Sequence, residues 1–200
     1  MVAAILAGGR ARRMGGVRKE LIEVEGRAII DRQLDVLAPR FGAIAAVLAA
    51  DASEEDAAPL DSRGLAIVRD RLTDRGPLAG LAAALAWAEA LGAEHLFALA
   101  GDMPSVSGAV VDLVVARGRT ADLAVPIVQE RPEPLLACYA TRALPLVERE
   151  LAGARLRLGA LPDAARAAGM RVVLIAESEI RNVDPNLLSL SNLNRPSDRI

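Results

Sequence analysis

The sequence predicts a three-layer α/β fold, a mostly parallel sheet with helices on both faces, and three observations predict it. Short apolar runs recur along the chain, longer Ala/Leu-rich amphipathic segments alternate with them, and 200 residues suffice for one ordinary α/β core but are short for two. The strand candidates are "VAAIL" at 2–6, "AIAAVLAA" at 43–50, "LAIVRD" at 65–70, "HLFALAGD" at 95–102, "DLAVPIV" at 122–128, "PLLACYA" at 134–140 and "RVVLIA" at 171–176. Residues 1–200 are read as one domain, with the stretch after Ala121 as a substrate-facing part of it.

Between the runs, "RAIIDRQLDVLAPR" at 27–40 and "PLAGLAAALAWAEALG" at 77–92 read as helices. Pro77 stands in the second one's first turn, where a missing N–H costs little, and Gly92 stands just past its end. "GAVVDLVVARG" at 108–118, "ATRALPLVERELAG" at 140–153 and "LGALPDAARAAG" at 158–169 are further helices, with Pro145 and Pro162 early in the last two. The polar "DASEEDAAPLDSRG" at 51–64 reads as a short surface helix.

Composition narrows the function classes. Aromatic residues are 2% of the chain, too few for base stacking along single-stranded nucleic acid. A net charge of −2 gives no general attraction for polyanions or membrane surfaces. One cysteine, Cys138, and one histidine, His95, exclude an intramolecular disulfide and a Cys- or His-rich metal cage, and neither has a sequence partner that suggests nucleophilic catalysis. Cys138 and Trp87 read as core, and His95 as a packing or surface residue. Val2 to Ala7 is too short for a signal-peptide core and no run reaches transmembrane length, so the expected location is the cytoplasm.

The first strand runs directly into "AGGRARRMGGVRK". Gly8 and Gly9 remove the side chains that would keep backbone N–H groups away from an anion, and Arg10, Arg12, Arg13 and Lys19 supply charge. A loop of this kind at the carboxyl end of a strand in an open α/β sheet suits a polyphosphate. Residues 8 to 20 contain neither G-x-x-x-x-G-K-[ST] nor G-x-G-x-x-G, which sets aside a P-loop and a standard dinucleotide fingerprint. Asp70, ahead of "GPLAG", could accept from the N1 and N2 hydrogens of guanine, and a helix cap is the plainer alternative. Asp102, ending the apolar "LFALAGD", stands where a carboxylate would hold Mg²⁺ against nucleotide phosphates.

The opening resembles the signature L-A-G-G-x-x-x-R-M-G, with a lysine a few residues on, of nucleotidyltransferases that act on molybdopterin and sugar phosphates. Leu6, Ala7, Gly8, Gly9, Arg13, Met14, Gly15 and Lys19 match it. Within that group the chain is most similar to the MobA-type molybdenum cofactor guanylyltransferases. The resemblance implies a Rossmann-like, nucleotide-diphospho-sugar transferase-like fold, and transfer of GMP from Mg-GTP to the phosphate of molybdopterin with release of pyrophosphate. It implies nucleotide binding by Leu6, Ala7, Gly8, Gly9, Arg13, Lys19, Asp70 and Asp102, catalysis by Arg13, Lys19 and Asp102, and Mg²⁺ on Asp102. "ERPEPLLACYA" at 130–140 resembles an acceptor-side segment, with Glu130, Arg131 and Glu133 as candidates or as a plain charged turn. "SLSNLNRPSDRI" resembles the family's closing segment and implies acceptor contacts by Asn192 and Asn194.

Three positions depart from the pattern. Arg18 replaces an aspartate before the lysine and puts a reversed charge beside the phosphate site; Ala49 stands where an asparagine contacts the nucleotide, with Asp51 nearby as a substitute; and Arg195 replaces a threonine. Alternatives therefore stand beside guanylyl transfer: a relative using CTP or a sugar-phosphate or phospholactate-type acceptor, or a nucleotide-binding module without chemistry.

Overall fold

The computed structural model describes residues 1–7, 18–70, 76–153 and 157–193. All seven expected strands are present among them: β1 (Val2–Leu6), β4 (Ile44–Leu48), β5 (Ala66–Arg69), β6 (His95–Ala100), β7 (Leu123–Val128), β9 (Leu136–Ala140) and β10 (Val172–Ile175). Three two-residue strands join them: β2 (Glu23–Val24), β3 (Arg27–Ala28) and β8 (Arg131–Pro132). The helices are α1 (Ile29–Leu37), α2 (Glu54–Asp61), α3 (Pro77–Ala90), α4 (Gly108–Gly118), α5 (Leu144–Ala152), α6 (Leu161–Ala167) and α7 (Glu177–Arg181). Pro145 and Pro162 sit in the first turns of α5 and α6, each preceded by a short 3₁₀ turn, so neither breaks its helix. Among the described residues no helix is long and apolar enough to cross a membrane.

The main sheet runs in the order β10-β7-β9-β6-β1-β4-β5, with β8 attached to β7, while β2 and β3 form a separate hairpin. β5, β4, β1 and β6 are mutually parallel, as are β7 and β10, and β9 lies antiparallel between β6 and β7. Residues after Ala121 thus extend the same sheet. The chain moves outward from β1 to β4 and β5, then returns to place β6 on the other side of β1. The carboxyl ends of β1 and β6 therefore flank a topological switch point, where open α/β sheets form their ligand crevice.

Alternation along the strands divides the core in two. Ala3, Ile5, Ala46, Leu48, Phe97, Leu99 and Cys138 face the side that buries residues of α1, α2, α4 and α7. Val2, Ala4, Ala45, Val47, Leu96, Ala98 and Tyr139 face the side that buries residues of α3, α5 and α6. With so many alanines on the sheet, bulk comes from a few large side chains; Phe97 is fully buried and stacks on Phe41 with ring centroids 5.4 Å apart. Cys138 is a buried small hydrophobe and Trp87 packs partly buried on α3, as expected.

Candidate active site at the carboxyl ends of β1 and β6

β1 carries Leu6 and Ala7 to the crevice: Ala7 donates to the Val47 carbonyl at 2.9 Å, and the Leu6 carbonyl accepts from Gly101 at 3.1 Å. A Cβ on Gly101 would lie 3.1 Å from that carbonyl oxygen and 3.4 Å from Ala7 Cα, so a glycine lets the exits of β1 and β6 approach this closely. Gly8, Gly9, Arg13 and Asn194 lie outside the described residues, as do Arg10, Arg12 and Arg195.

Beyond that segment, Lys19 opens a 3₁₀ turn, Lys19–Leu21. Its Nζ donates to Asp102 Oδ2 at 2.8 Å across 83 residues of sequence, so two residues singled out separately form one ion pair beside the switch point. The turn bearing Asp102 is held from below by α1. Gln33, fully buried, donates from Nε2 to the carbonyls of Ala100 at 2.8 Å and Met103 at 3.0 Å, and Arg32 Nε donates to the Pro104 carbonyl at 3.0 Å. Sequence reading missed Gln33; a polar residue at a core-facing position of α1 was its one signal.

Asp70 follows β5 on the same side of the sheet. Its Oδ1 accepts from the Ala50 N–H at 3.1 Å, and its own N–H donates to the Leu48 carbonyl at 2.9 Å, so it caps the exit of β4. The N-cap of α3 is Gly76, at φ +66°. Ala49 and Ala50 are half-exposed at the end of β4, and Asp51 is exposed in the turn that follows.

The closing segment reaches the same place. The Leu193 N–H donates to the Asp102 carbonyl at 2.8 Å, while its side chain, 2% exposed, packs with Ile22, Val24 and Ile29. Asn192 is thereby exposed one residue from a contact with Asp102. Glu130 lies with Gln129 in the β7–β8 turn, both at positive φ, 62° and 49°. Glu133 follows β8, half-buried, and burial pushes its carboxyl up. β9 starts at Leu136 beside Leu99, so this turn shares the carboxyl end of β6 with Asp102.

Arg18, expected as a reversed charge beside the phosphate site, is paired with a carboxylate. Its guanidinium is turned back onto Glu20, Nε to Oε1 at 2.6 Å, and its side chain is 13% exposed. Glu20 is itself buried; burial pushes its carboxyl up, against the lowering pull of Arg18. A carboxylate between a lysine and a leucine reads as solvated in sequence, which is why this pair was not foreseen.

Among known proteins, residues 3–173 match the model of the MobA-like NTP transferase domain. The chain belongs to the MobA-like NTP transferase family. It is thus a nucleotidyltransferase, in the sense already implied by its opening motif. Its relatives in that family include a probable molybdenum cofactor guanylyltransferase of Methanosarcina mazei, 35% identical over 98% of this chain and 87% of the relative. A molybdenum cofactor guanylyltransferase of Desulfosudis oleivorans is 34% identical over 95% of this chain and 88% of its own length. Among solved structures, molybdopterin-guanine dinucleotide biosynthesis protein A of Archaeoglobus fulgidus superposes with a TM-score of 0.75 at 27% identity, covering 99% of this chain and 94% of that one. The 2-C-methyl-D-erythritol 4-phosphate cytidylyltransferase of Thermus thermophilus, at 15% identity and a TM-score of 0.69 over 99% and 94%, shares the fold. The Rossmann-like, nucleotide-diphospho-sugar transferase-like architecture read from the MobA-like motif is the one found.

Proposed function

We propose that this chain moves GMP from GTP to the terminal phosphate of molybdopterin, releasing pyrophosphate, in one domain spanning residues 1–200. The observation that carries the reading is the Lys19–Asp102 pair at the β1/β6 switch point, in a chain whose relatives bear the guanylyltransferase name.

In this reading Leu6, Ala7, Gly8 and Gly9 bring the backbone against the nucleotide phosphates, and Arg13 and Lys19 neutralise their charge. Asp70 reads the N1 and N2 hydrogens of guanine; its bond to the Ala50 N–H helps fix the carboxylate's direction. Asn192 and Asn194 offer both donors and acceptors to the pterin. A phosphate oxygen of the acceptor attacks the α-phosphorus, forming the new phosphoanhydride bond as the bond to the departing pyrophosphate breaks. No protein nucleophile takes part, and the protein contributes chiefly positioning and electrostatics.

The donor set at Asp102 fits Mg²⁺: a hard oxygen ligand, one-fifth exposed at a strand's carboxyl end and already facing a cation, suits an ion that takes one or two carboxylates plus phosphate oxygens and water. Bound there, Mg²⁺ supplies charge neutralisation across the nucleotide phosphates.

The test is binding of GTP, CTP, ATP and UTP in the presence of Mg²⁺, for the native chain, Lys19→Ala and Asp102→Asn. Selective GTP binding that weakens in both variants is expected, followed by pyrophosphate release on adding molybdopterin. A preference for CTP would replace guanylyl with cytidylyl transfer, and tight binding without turnover on any acceptor would leave a binding module.

A further inference from the structure

The proposed chemistry does not use Arg18, a charged side chain beside the exit of β1. Arg18 Nη2 donates to the Ala7 carbonyl at 2.9 Å, spanning eleven residues. Its Nε donates to Glu20, and its Nη1 lies 3.4 Å from Asp56 Oδ1. Each partner is fixed by something else. Ala7 is hydrogen-bonded into the exit of β1. Glu20 is 1% exposed and lies against Gly101, with its Cβ 3.5 Å from where a glycine-101 Cβ would stand. Asp56 is locked at the start of α2 by a reciprocal capping box, its N–H donating to Ser53 Oγ and its Oδ2 accepting from the Ser53 N–H.

Lys19 lies between Arg18 and Glu20 in the chain. Both neighbours are tied to each other, while the Lys19 ammonium faces Asp102. We infer that Arg18 is a positioning residue for nucleotidyl transfer: it ties the exit of β1 at Ala7 to the Lys19–Leu21 turn and secures both to α2, and so aims Lys19 at Asp102 and the nucleotide phosphates. The inference rests on the nucleotidyltransferase reading above. A fork of five donors can serve a carbonyl and two carboxylates at once, which a lysine ammonium on a flexible stem cannot do in the same geometry.

A residue that acts through another loses its effect when that other is gone. The experiment compares kcat/KM for GTP in Arg18→Met, Lys19→Met and the double variant, with Arg18→Lys and Arg18→Met/Glu20→Gln alongside and thermal melting of all. Arg18→Met is expected to cost roughly tenfold and Lys19→Met roughly a hundredfold, and the double variant also roughly a hundredfold. Arg18→Lys should recover part of the loss. Losses that multiply to roughly a thousandfold, or an Arg18→Met enzyme as active as the native one, would overturn the inference. A native chain that releases no pyrophosphate from any nucleotide would instead overturn the functional reading. The clasp is then still read by melting, because Arg18→Met strands a buried carboxylate and should melt below Arg18→Met/Glu20→Gln; the reverse order would dispose of the clasp itself.

Discussion

Asp102→Asn separates stability from chemistry. The carboxylate meets Lys19 Nζ at 2.8 Å, with side chains 25% and 20% exposed for the lysine and the aspartate. Coulomb's law gives that pair about 1.5 kcal/mol in fully screening water and about 6 kcal/mol at an effective dielectric of 20. Desolvation of both ends offsets most of it, leaving about 1 kcal/mol net. The amide keeps the shape and an acceptor oxygen for Lys19, and the main chain at 102 still accepts from Leu193. A chain of this size should therefore melt only about 2–4 °C lower. Turnover faces a larger loss, because one negative ligand disappears where phosphate charge is redistributed; groups of that kind are worth about 2.7–4 kcal/mol, or about a hundred- to a thousandfold in rate. The assay pairs pyrophosphate release from Mg-GTP and molybdopterin with a thermal melt on the same preparation. Native-like turnover would refute the role given to Asp102, and a drop in melting temperature far beyond a few degrees would show the residue to be a structural keystone.

Other perturbations read other parts of the structure. Asp122 accepts from the Arg171 N–H at 2.8 Å and from the Arg142 guanidinium; burial opposes its charge, but these bonds outweigh burial and hold its carboxyl below the usual carboxylate range. Its stabilisation is thus complete above the ordinary value near 4 and fades as pH falls through the lower folded value, so Asp122→Asn should cost about 2 kcal/mol in urea melts at pH 7 and visibly less at pH 3; a gap independent of pH would contradict this. Cys138, whose thiol burial pushes up to about 12, should resist a thiol reagent at pH 8 until the chain is unfolded, and rapid labelling of the native protein would show otherwise. Gly118→Ala would drive a Cβ into Cys138 Sγ and to 2.5 Å from its Cβ, so α4 must shift off β9 at a cost of about 1–3 kcal/mol, and adding Cys138→Ala, which keeps that Cβ, should not restore the native stability. Leu193→Ala empties a position 2% exposed among Ile22, Val24 and Ile29 and should cost about 2 kcal/mol; it should raise the KM for the acceptor while GTP binding stays native, and equal effects on both substrates would remove the closing segment from the acceptor side.

What sequence made legible follows from how far each signal reaches. Seven strands and six helices were visible because burial on both faces of a sheet demands continuous apolar runs, and because Gly92 and the prolines mark helix ends. The antiparallel setting of β9 was not visible, since an apolar run such as "LLACYA" carries no direction. Two-residue strands and the five-residue α7 are too short for any period to register. At the site, Lys19 and Asp102 were found by their places after β1 and β6, and the structure joins them. Arg18 was noticed only as a reversed charge beside the phosphate site, and Glu20, Asp56 and Gln33 were not found, because a charge or an amide buried by a distant partner looks, in sequence, like one bathed in water.

The placement of β9 has a mechanical corollary. Among the described residues, the parallel blocks β5-β4-β1-β6 and β7-β10 share no ladder in the main sheet; β9 alone is laced to both. Five rungs bind it to β6, from His95↔Ala140 to Leu99↔Leu136, but only two bind it to β7, Leu123↔Tyr139 and Ala124↔Cys138. The weaker seam is the one beside which Pro126, without an N–H, prevents further lacing. β9 is therefore paired over a longer span with the block that carries Asp102 than with the block that carries the turn at Glu130.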